Sequence, residues 1–348
     1  MSEIREPARI ECLPVEIIQT IFLHCVEFNF PRASIHIARA LSDPVIYTWL
    51  IRLAFTIDNH ETRDILTPEY LPPPLDFHGL SKQERTDLQN AILGTRWCTL
   101  PVMRKCQAGF LKHVISIQCN HLDIPSPEDK NKLSNLEQHF EESTSITDTQ
   151  GIPRANPFED LKIPAMREII PGRPDTYDDC VLSIWFNSGL VVLGRPVDES
   201  FTAGEGGYRL PACPSTAPRM PDKLLRPPYT PDKLSFLTLL AEEAYIDEDE
   251  NFDCSRRILR RVIRDRDLAT FQRLLKLCIR LKCYNYSRPW PLLPCHFRAA
   301  MKYAEERNDP FIRFLVEECW YLVPEDIQLK DELLRRYAKD NAAGVGYK

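Results

Sequence analysis

The amino-acid sequence predicts a mainly α protein with a helical head and a helical tail, and three observations carry that expectation. Residues 13 to 25 open on Leu-Pro and continue with apolar residues at helical spacing. The last third repeats a helix–turn–helix pattern. Proline is abundant (29) and glycine scarce (12) among the 348 residues, so connections should be numerous and stiff. The expected organisation is a helix trio over 10–56, a helical connector region over 57–122 and a loop-rich, proline-rich middle over 123–230. A stack of helix pairs follows over 231–340. The middle has room for one small β-hairpin.

The head begins Leu13-Pro14-Val15-Glu16-Ile17-Ile18-Gln19-Thr20-Ile21-Phe22-Leu23-His24-Cys25. Pro14 stands where helices tolerate proline, because the first amide groups have no intrahelical acceptor. Glu16 suits the positive end of the helix dipole. Ile17, Ile18, Ile21, Phe22 and Cys25 supply the apolar spacing. A second pattern follows Phe28-Asn29-Phe30-Pro31 and runs through Ala33, Ile35, Ile37, Ala38 and Leu41. After Asp43-Pro44 comes a third, through Val45, Ile46, Trp49, Leu50, Leu53, Ala54 and Phe55.

Leu-Pro-Val-Glu-Ile followed by an isoleucine-rich helix resembles the opening of the F-box, a compact helix trio that docks on the Skp-type adaptor of cullin ubiquitin ligases. The resemblance implies that Leu13, Pro14, Ile17, Ile18, Ile21 and Phe22 meet the adaptor. The chain departs from the pattern at the Ser42-Asp43-Pro44 break and in lacking a Val-Cys-Lys-Xaa-Trp stretch, although Trp49 and Arg52 lie nearby. The residues leave a second reading open: a helical subdomain whose apolar face packs on the rest of its own chain.

Beyond the head, Leu66 to Pro74 reads as a proline-rich connector. Ser81 to Leu93 reads as a helix, with Ser81 and Glu84 spaced for a capping box and Gly94 as a stop. Trp97 to Ile117 carries Leu100, Val102, Met103, Phe110, Leu111, Val114 and Ile115 at helical spacing, with Pro101 in the first turn. Residues 123–160 are polar and punctuated by proline, and the tract Glu141 to Asp148 reads as a long surface loop. Cys180 to Phe186 and Gly189 to Leu193 are the most apolar runs. Asn187-Ser188-Gly189 between them suits a hairpin turn, and a buried helix ending at Gly189 fits the same residues. Residues 194–233 read as loop.

The tail begins with a helix over Asp232 to Tyr245. Cys254–Ile263 and Leu268–Leu281 form one pair around the charged turn Arg264-Asp265-Arg266-Asp267. Cys295–Glu305 and Pro310–Leu322 form another around Arg307-Asn308-Asp309, and a last helix surrounds Asp326–Ala338. The pairs align at an offset of about forty residues, matching Ile258 to Ala299, Val262 to Tyr303, Phe271 to Ile312, Leu274 to Leu315 and Cys278 to Cys319. Each unit resembles an ankyrin repeat, with Pro291-Leu292-Leu293-Pro294-Cys295-His296-Phe297 standing where Thr-Pro-Leu-His is usual. The connector is several residues longer than the standard period. An ordinary helical bundle is the other reading.

A net charge of −6 gives no case for nucleic acid. No apolar run reaches the length of a membrane span, and the N-terminus has no secretory pattern. The twelve cysteines are then expected as reduced thiols in cytoplasm or nucleus. Cys25, Cys278 and Cys319 fall on apolar helical faces, where free cysteine behaves as a small hydrophobe.

Cys98, Cys106, His113, Cys119 and His121 lie close together without the Cys-x2-Cys spacing of structural zinc, so no metal is expected. Gly204-Glu205-Gly206-Gly207 lacks the ending of a phosphate loop. Asp178-Asp179 and Asp247-Glu248-Asp249-Glu250 have the look of solvated loops, so neither a catalytic set nor a cofactor is expected. The sharpest charge feature is Arg256, Arg260 and Arg264 along one side of a helix. They form either a solvated face or a docking stripe for an acidic client.

Together these observations suggest a non-enzymatic interaction protein, similar to filamentous-fungal proteins that pair such a head with an ankyrin-like tail. The resemblance implies a Skp adaptor and cullin as partners of the head and a protein client for the tail. The alternative is an ankyrin-like scaffold with no ligase link.

Overall fold

The computed structural model describes residues 9–56, 66–118, 122–136, 138, 161–168, 177–185, 190–194, 217–241, 244–282, 284, 286–304 and 309–338. The protein is mainly α, and it divides into two compact units, residues 1–218 and 219–348.

The first unit opens with a 3₁₀ turn, Arg9–Cys12, and then α1 (Val15–Cys25), a 3₁₀ turn at Phe30–Arg32, α2 (Ile35–Ala40) and α3 (Pro44–Phe55). Local chemistry sets the helix starts. Pro14 is the N-cap of α1. The Ser34 hydroxyl accepts from the Ile37 N–H at 3.2 Å, and the Asp43 carboxylate accepts from the Val45 N–H at 2.9 Å. The Ser42-Asp43-Pro44 break therefore carries the cap and first residue of α3, and the trio survives it. Val26 closes α1 in the left-handed region (φ 47°), donating its N–H to the Phe22 carbonyl at 2.7 Å. Ile18, Phe22, Leu23, Ile37, Ala40, Ile46 and Leu50 are buried. Gln19 ties α1 to α2 by donating to the Ala40 carbonyl at 2.9 Å.

The trio is mounted on the rest of its unit through α3, which packs on α4 (Lys82–Gly94) and α5 (Leu100–Gln118). Ser81 and Glu84 form the expected capping box at the start of α4. Buried Gln89 donates to the Ala54 carbonyl at 2.8 Å, satisfying an acceptor near the end of α3. The proline-rich segment 66–74 is not a free connector. Tyr70 and Leu71 are buried, Arg52 donates to the Tyr70 carbonyl at 2.7 Å, and the Arg52 guanidinium lies 4.5 Å from the Tyr70 ring centre. His113 of α5 stacks on the same ring at 4.7 Å.

Two elements of the middle run against the loop expectation. Residues 127–134 form α6 (Pro127–Ser134), with Ser126 as N-cap, Pro127 in the first turn and Glu128 and Asp129 at the positive dipole end. The start signals are in the sequence, but the segment has no apolar stripe, so periodicity passes over it. The hairpin expected around 180–193 is present and grows into a four-stranded antiparallel sheet. Its strands β1 (Leu122–Asp123), β2 (Leu161–Glu168), β3 (Tyr177–Trp185) and β4 (Leu190–Gly194) lie in chain order. Register pairs Ile163 with Leu182, Ala165 with Cys180 and Ile184 with Val191, all six buried, so one face is apolar. β2 was missed because Pro164 interrupts its short alternation. The Asn187–Gly189 turn, the 141–148 tract and Gly204–Gly207 lie outside the described residues.

The second unit runs α7 (Pro231–Leu240), β5 (Tyr245–Ile246), α8 (Asp253–Arg264), α9 (Leu268–Leu275), β6 (Cys278–Leu281), β7 (Ser287–Pro289), α10 (Pro294–Tyr303) and α11 (Pro310–Glu317). A 3₁₀ turn, Trp320–Leu322, and α12 (Ile327–Ala338) complete it. α8 packs on both α9 and α10, α10 on α11, and α11 on α12.

Three helices are shorter than their spacing suggested: α11 stops at Glu317, so buried Cys319 lies beyond it at the start of the 3₁₀ turn and not on its face. α7 stops at Leu240 and Tyr245–Ile246 is a strand. α9 stops at Leu275, where Cys278–Leu281 takes strand form, so Cys278 is not on a helix and does not match Cys319. Leu274, Cys278 and Leu281 also fit a helical period. What decides is that Leu277, Ile279 and Leu281 are buried in alternation while β6 pairs with β5 in parallel and β7 antiparallel.

The turns of the two helix pairs are joined. Asp309 is 3% exposed, caps α11 by accepting from the Phe311 N–H at 2.9 Å, and takes a two-pronged ion pair from Arg266. Arg266 sits in the turn between α8 and α9 at φ 61° and also lies over the Phe311 ring at 4.9 Å. His296 performs a similar task one layer away. It is fully buried, its Nδ1 accepts from the Leu293 N–H at 2.9 Å, and its Nε2–H donates to the Arg256 carbonyl of α8 at 3.1 Å. Burial, opposed by the Arg256 carbonyl and reinforced by the Arg260 and Arg256 charges, holds its pKa down at about 4.

Candidate functional site

α1 is apolar on two sides, and among the described residues only one of them is buried in its own unit. Ile18 and Phe22 are 0% and 3% exposed, with the Phe22 ring edge-on to Phe28 at 6.4 Å. One position away, Val15, Ile17 and Ile21 are 42%, 46% and 36% exposed. Four-residue spacing carries that outer stripe from half-buried Leu13 through Ile17 and Ile21 to exposed Cys25. Pro14 is exposed beside it. Ile35 at the start of α2 and Val45 at the start of α3 are exposed as well.

The six residues expected to meet an adaptor therefore split. Leu13, Pro14, Ile17 and Ile21 are available to a partner. Ile18 and Phe22 are not, because they form the inner face that holds α1 to the head. Sequence spacing could not separate the sets, since both fit a 3.6-residue period and only the packing of α2 and α3 selects the inner one. Cys25 also departs from expectation, being exposed where a small buried hydrophobe was expected. Val15, Ile35 and Val45 were missed as surface residues. Each sits in the first turn of its helix, where an apolar side chain reads as core.

The arginines of α8 are not a uniform stripe. Arg256 pairs with Asp253, Arg264 pairs with Asp265 at 3.2 Å, and Arg260 is exposed, close enough to His296 to depress its protonation. Neither of the two cavities that flank α8 is lined by any of these three. One of them is instead lined by Arg257 and Arg261, with Asp222, Leu225, Arg226, Pro227, Tyr229, Cys254 and Ile258.

The acidic run that precedes α8 is engaged locally. Asp247 takes Lys282 at 3.2 Å, Glu248 accepts from the Ser255 N–H at 2.9 Å, Asp249 accepts from the Asn251 N–H at 2.9 Å, and Glu250 takes the Tyr284 hydroxyl at 3.2 Å. Asp178 and Asp179 are exposed on β3. Cys98 and Cys106 are buried, and burial pushes the Cys106 thiol up to about 11, so it is inert as a nucleophile. Cys119 and His121 lie outside the described residues. Among the described residues no group of three or more His, Cys, Asp or Glu is placed to hold a metal, and no helix is long and apolar enough to cross a membrane.

The geometry defines a mainly α protein in two units, the first presenting an outward apolar helix stripe. No family model, curated protein or solved structure matches the chain.

Proposed function

We propose that this protein is a non-enzymatic interaction protein whose head seats on a Skp-type adaptor of a cullin ubiquitin ligase and whose second unit takes a protein client. The observation that carries the reading is the division of α1. Ile18 and Phe22 already complete the head's core, yet Leu13, Pro14, Ile17 and Ile21 continue an apolar stripe into solvent. A helix offering an unused apolar face is a sound route to affinity when a partner supplies the groove. The ankyrin-like reading of the tail is supported by helix pair followed by hairpin, by the pairing of β5, which precedes the first helix pair, with β6, which follows it, and by Pro294 and His296 in the first turn of α10.

The test is association of the purified chain with a purified Skp-type adaptor. Ile17→Asp combined with Ile21→Asp should abolish the complex while leaving the thermal melt unchanged, because both side chains are already wet. Undiminished adaptor binding by the folded double variant would overturn the reading, and so would no binding by the wild type.

The burial of Tyr70 and Leu71 favours the scaffold alternative, since it ties α3 of the head to the 66–74 segment and, through His113 on the Tyr70 ring, to α5. Under that reading the head resists removal by limited proteolysis, no adaptor binds, and the outer stripe of α1 tolerates aspartate without consequence.

A further inference from the structure

Beside α8 a cleft of about 280 Å³ lies between the helix and the segment Asp222–Tyr229. Three guanidinium groups, Arg226, Arg257 and Arg261, stand among its lining residues against one carboxylate, Asp222. Its apolar part is Leu225, Pro227, Ile258 and the ring of Tyr229, whose hydroxyl is committed to the Leu225 carbonyl at 3.0 Å. The cleft thus pairs a cationic rim with an apolar floor.

The cations are unequally committed. Asp222 is divided between Arg226 at 3.0 Å and Arg219 at 3.2 Å, and Asp265 between Arg261 at 3.3 Å and Arg264 at 3.2 Å. Arg219 also reaches Asp247 at 3.7 Å, which Lys282 shares, so three cations meet two carboxylates in the first group and two meet one in the second, leaving one positive charge over in each. Arg257 is hydrogen-bonded to the Cys254 thiol and forms no ion pair with any of the described carboxylates. The acidic loop borders a neighbouring cavity of about 550 Å³ that shares Cys254 and Arg257; there Asp247 meets Lys282 and Asp253 meets Arg256, while Glu248 and Asp249 are hydrogen-bonded by Ser255 and Asn251 and keep their charge on that side. The Tyr229 side of α8, lined by Arg226, Arg257 and Arg261 against Asp222, is therefore the cationic side, and the loop side the acidic one.

We infer that this cleft binds an anionic side chain of a client peptide, a phosphoryl ester or a carboxylate, with an apolar neighbour of that side chain lying on Leu225, Pro227 and Ile258. A guanidinium fork matches either anion with two parallel hydrogen bonds. The cleft is below the usual size of a cofactor pocket and suits one or two side chains. The inference deepens the client half of the proposed function, while the rim Arg257 and Arg261 replaces Arg256, Arg260 and Arg264 as the recognising set.

The experiment uses the full chain and three oriented peptide libraries whose fixed central residue is phosphoserine, glutamate or serine, with random flanks. Retention of the phosphoserine library above the serine library, with apolar residues selected beside the phosphate, is the expected result. Equal retention of the glutamate library would identify a carboxylate as the natural group. Arg257→Ala and Arg261→Ala, both at exposed positions, should each reduce retention at least tenfold. Arg260→Ala, on the same helix outside the cleft, should leave it unchanged. No enrichment of either anionic library over serine would overturn the inference, as would equal losses from all three variants. Adaptor binding by the head is measured separately on the same Arg257→Ala protein, so failure of the cleft and failure of the ligase reading give different results.

Discussion

Replacing His296 by glutamine should remove a pH dependence that the wild-type second unit carries. In the folded chain His296 is enclosed between α10 and α8, accepting at Nδ1 from Leu293 and donating from Nε2–H to Arg256. Protonation would place a second hydrogen opposite the Leu293 N–H and a charge beside Arg256 and Arg260. The folded pKa is held down at about 4, against 6.5 for the free side chain. Above pH 6.5 both folded and unfolded chains keep the ring neutral and the full stabilisation is present. As pH falls from about 6.5 toward 4 the unfolded chain takes up a proton that the folded chain refuses, so stability falls with it. A gap of this size corresponds to about 3 kcal/mol in total, with about 2 kcal/mol lost by pH 5. Urea unfolding of wild type and His296→Gln at pH 7 and pH 5, followed by hydrogen exchange in α8 and α10, measures the difference. The wild type should lose the extra 2 kcal/mol and the variant should not. A proton NMR titration of the His296 ring with a midpoint near 6.5, or parallel pH profiles for the two proteins, would refute the reasoning.

Other perturbations test other layers. Asp309→Ala removes the α11 cap and strands Arg266 in the turn it was paired with, and should cost about 3–5 kcal/mol by urea unfolding. Ile18→Ala and Phe22→Ala should each destabilise the first unit by about 2–5 kcal/mol, whereas Ile17→Ser and Ile21→Ser should stay within about 0.5 kcal/mol of wild type. A calorimetric scan separates the two pairs, and equal losses would mean that both sides of α1 are core. Gln89→Leu leaves the Ala54 carbonyl without its side-chain donor and should cost about 1–3 kcal/mol, read as faster amide exchange at the end of α3.

Much of the fold was legible in the sequence because its helices announce their own starts. Ser34, Asp43, Ser81, Thr230, Asp267 and Asp309 all cap helices with their side chains in the structure, and capping depends on residues within one turn. The paired helices of the tail were legible for the same reason, since their apolar positions repeat with a fixed period. Strands were the weak point. β6 was absorbed into a helix, and β2 was not seen, because a short apolar run fits both periods until a pairing partner is known.

The candidate sites show the same division. The sequence by itself determined that α1 is an apolar helix opened by Leu13-Pro14, and that α8 carries a dense set of arginines. Only the tertiary structure decided which side of each helix matters. Packing of α2 and α3 encloses Ile18 and Phe22 and leaves Ile17 and Ile21 in solvent, and the Asp222–Tyr229 segment makes a cleft at Arg257 and Arg261 while Arg256 is drawn to Asp253. Spacing along a chain fixes a residue's angle around its helix, but the contacts that bury one angle and expose another come from residues tens of positions away.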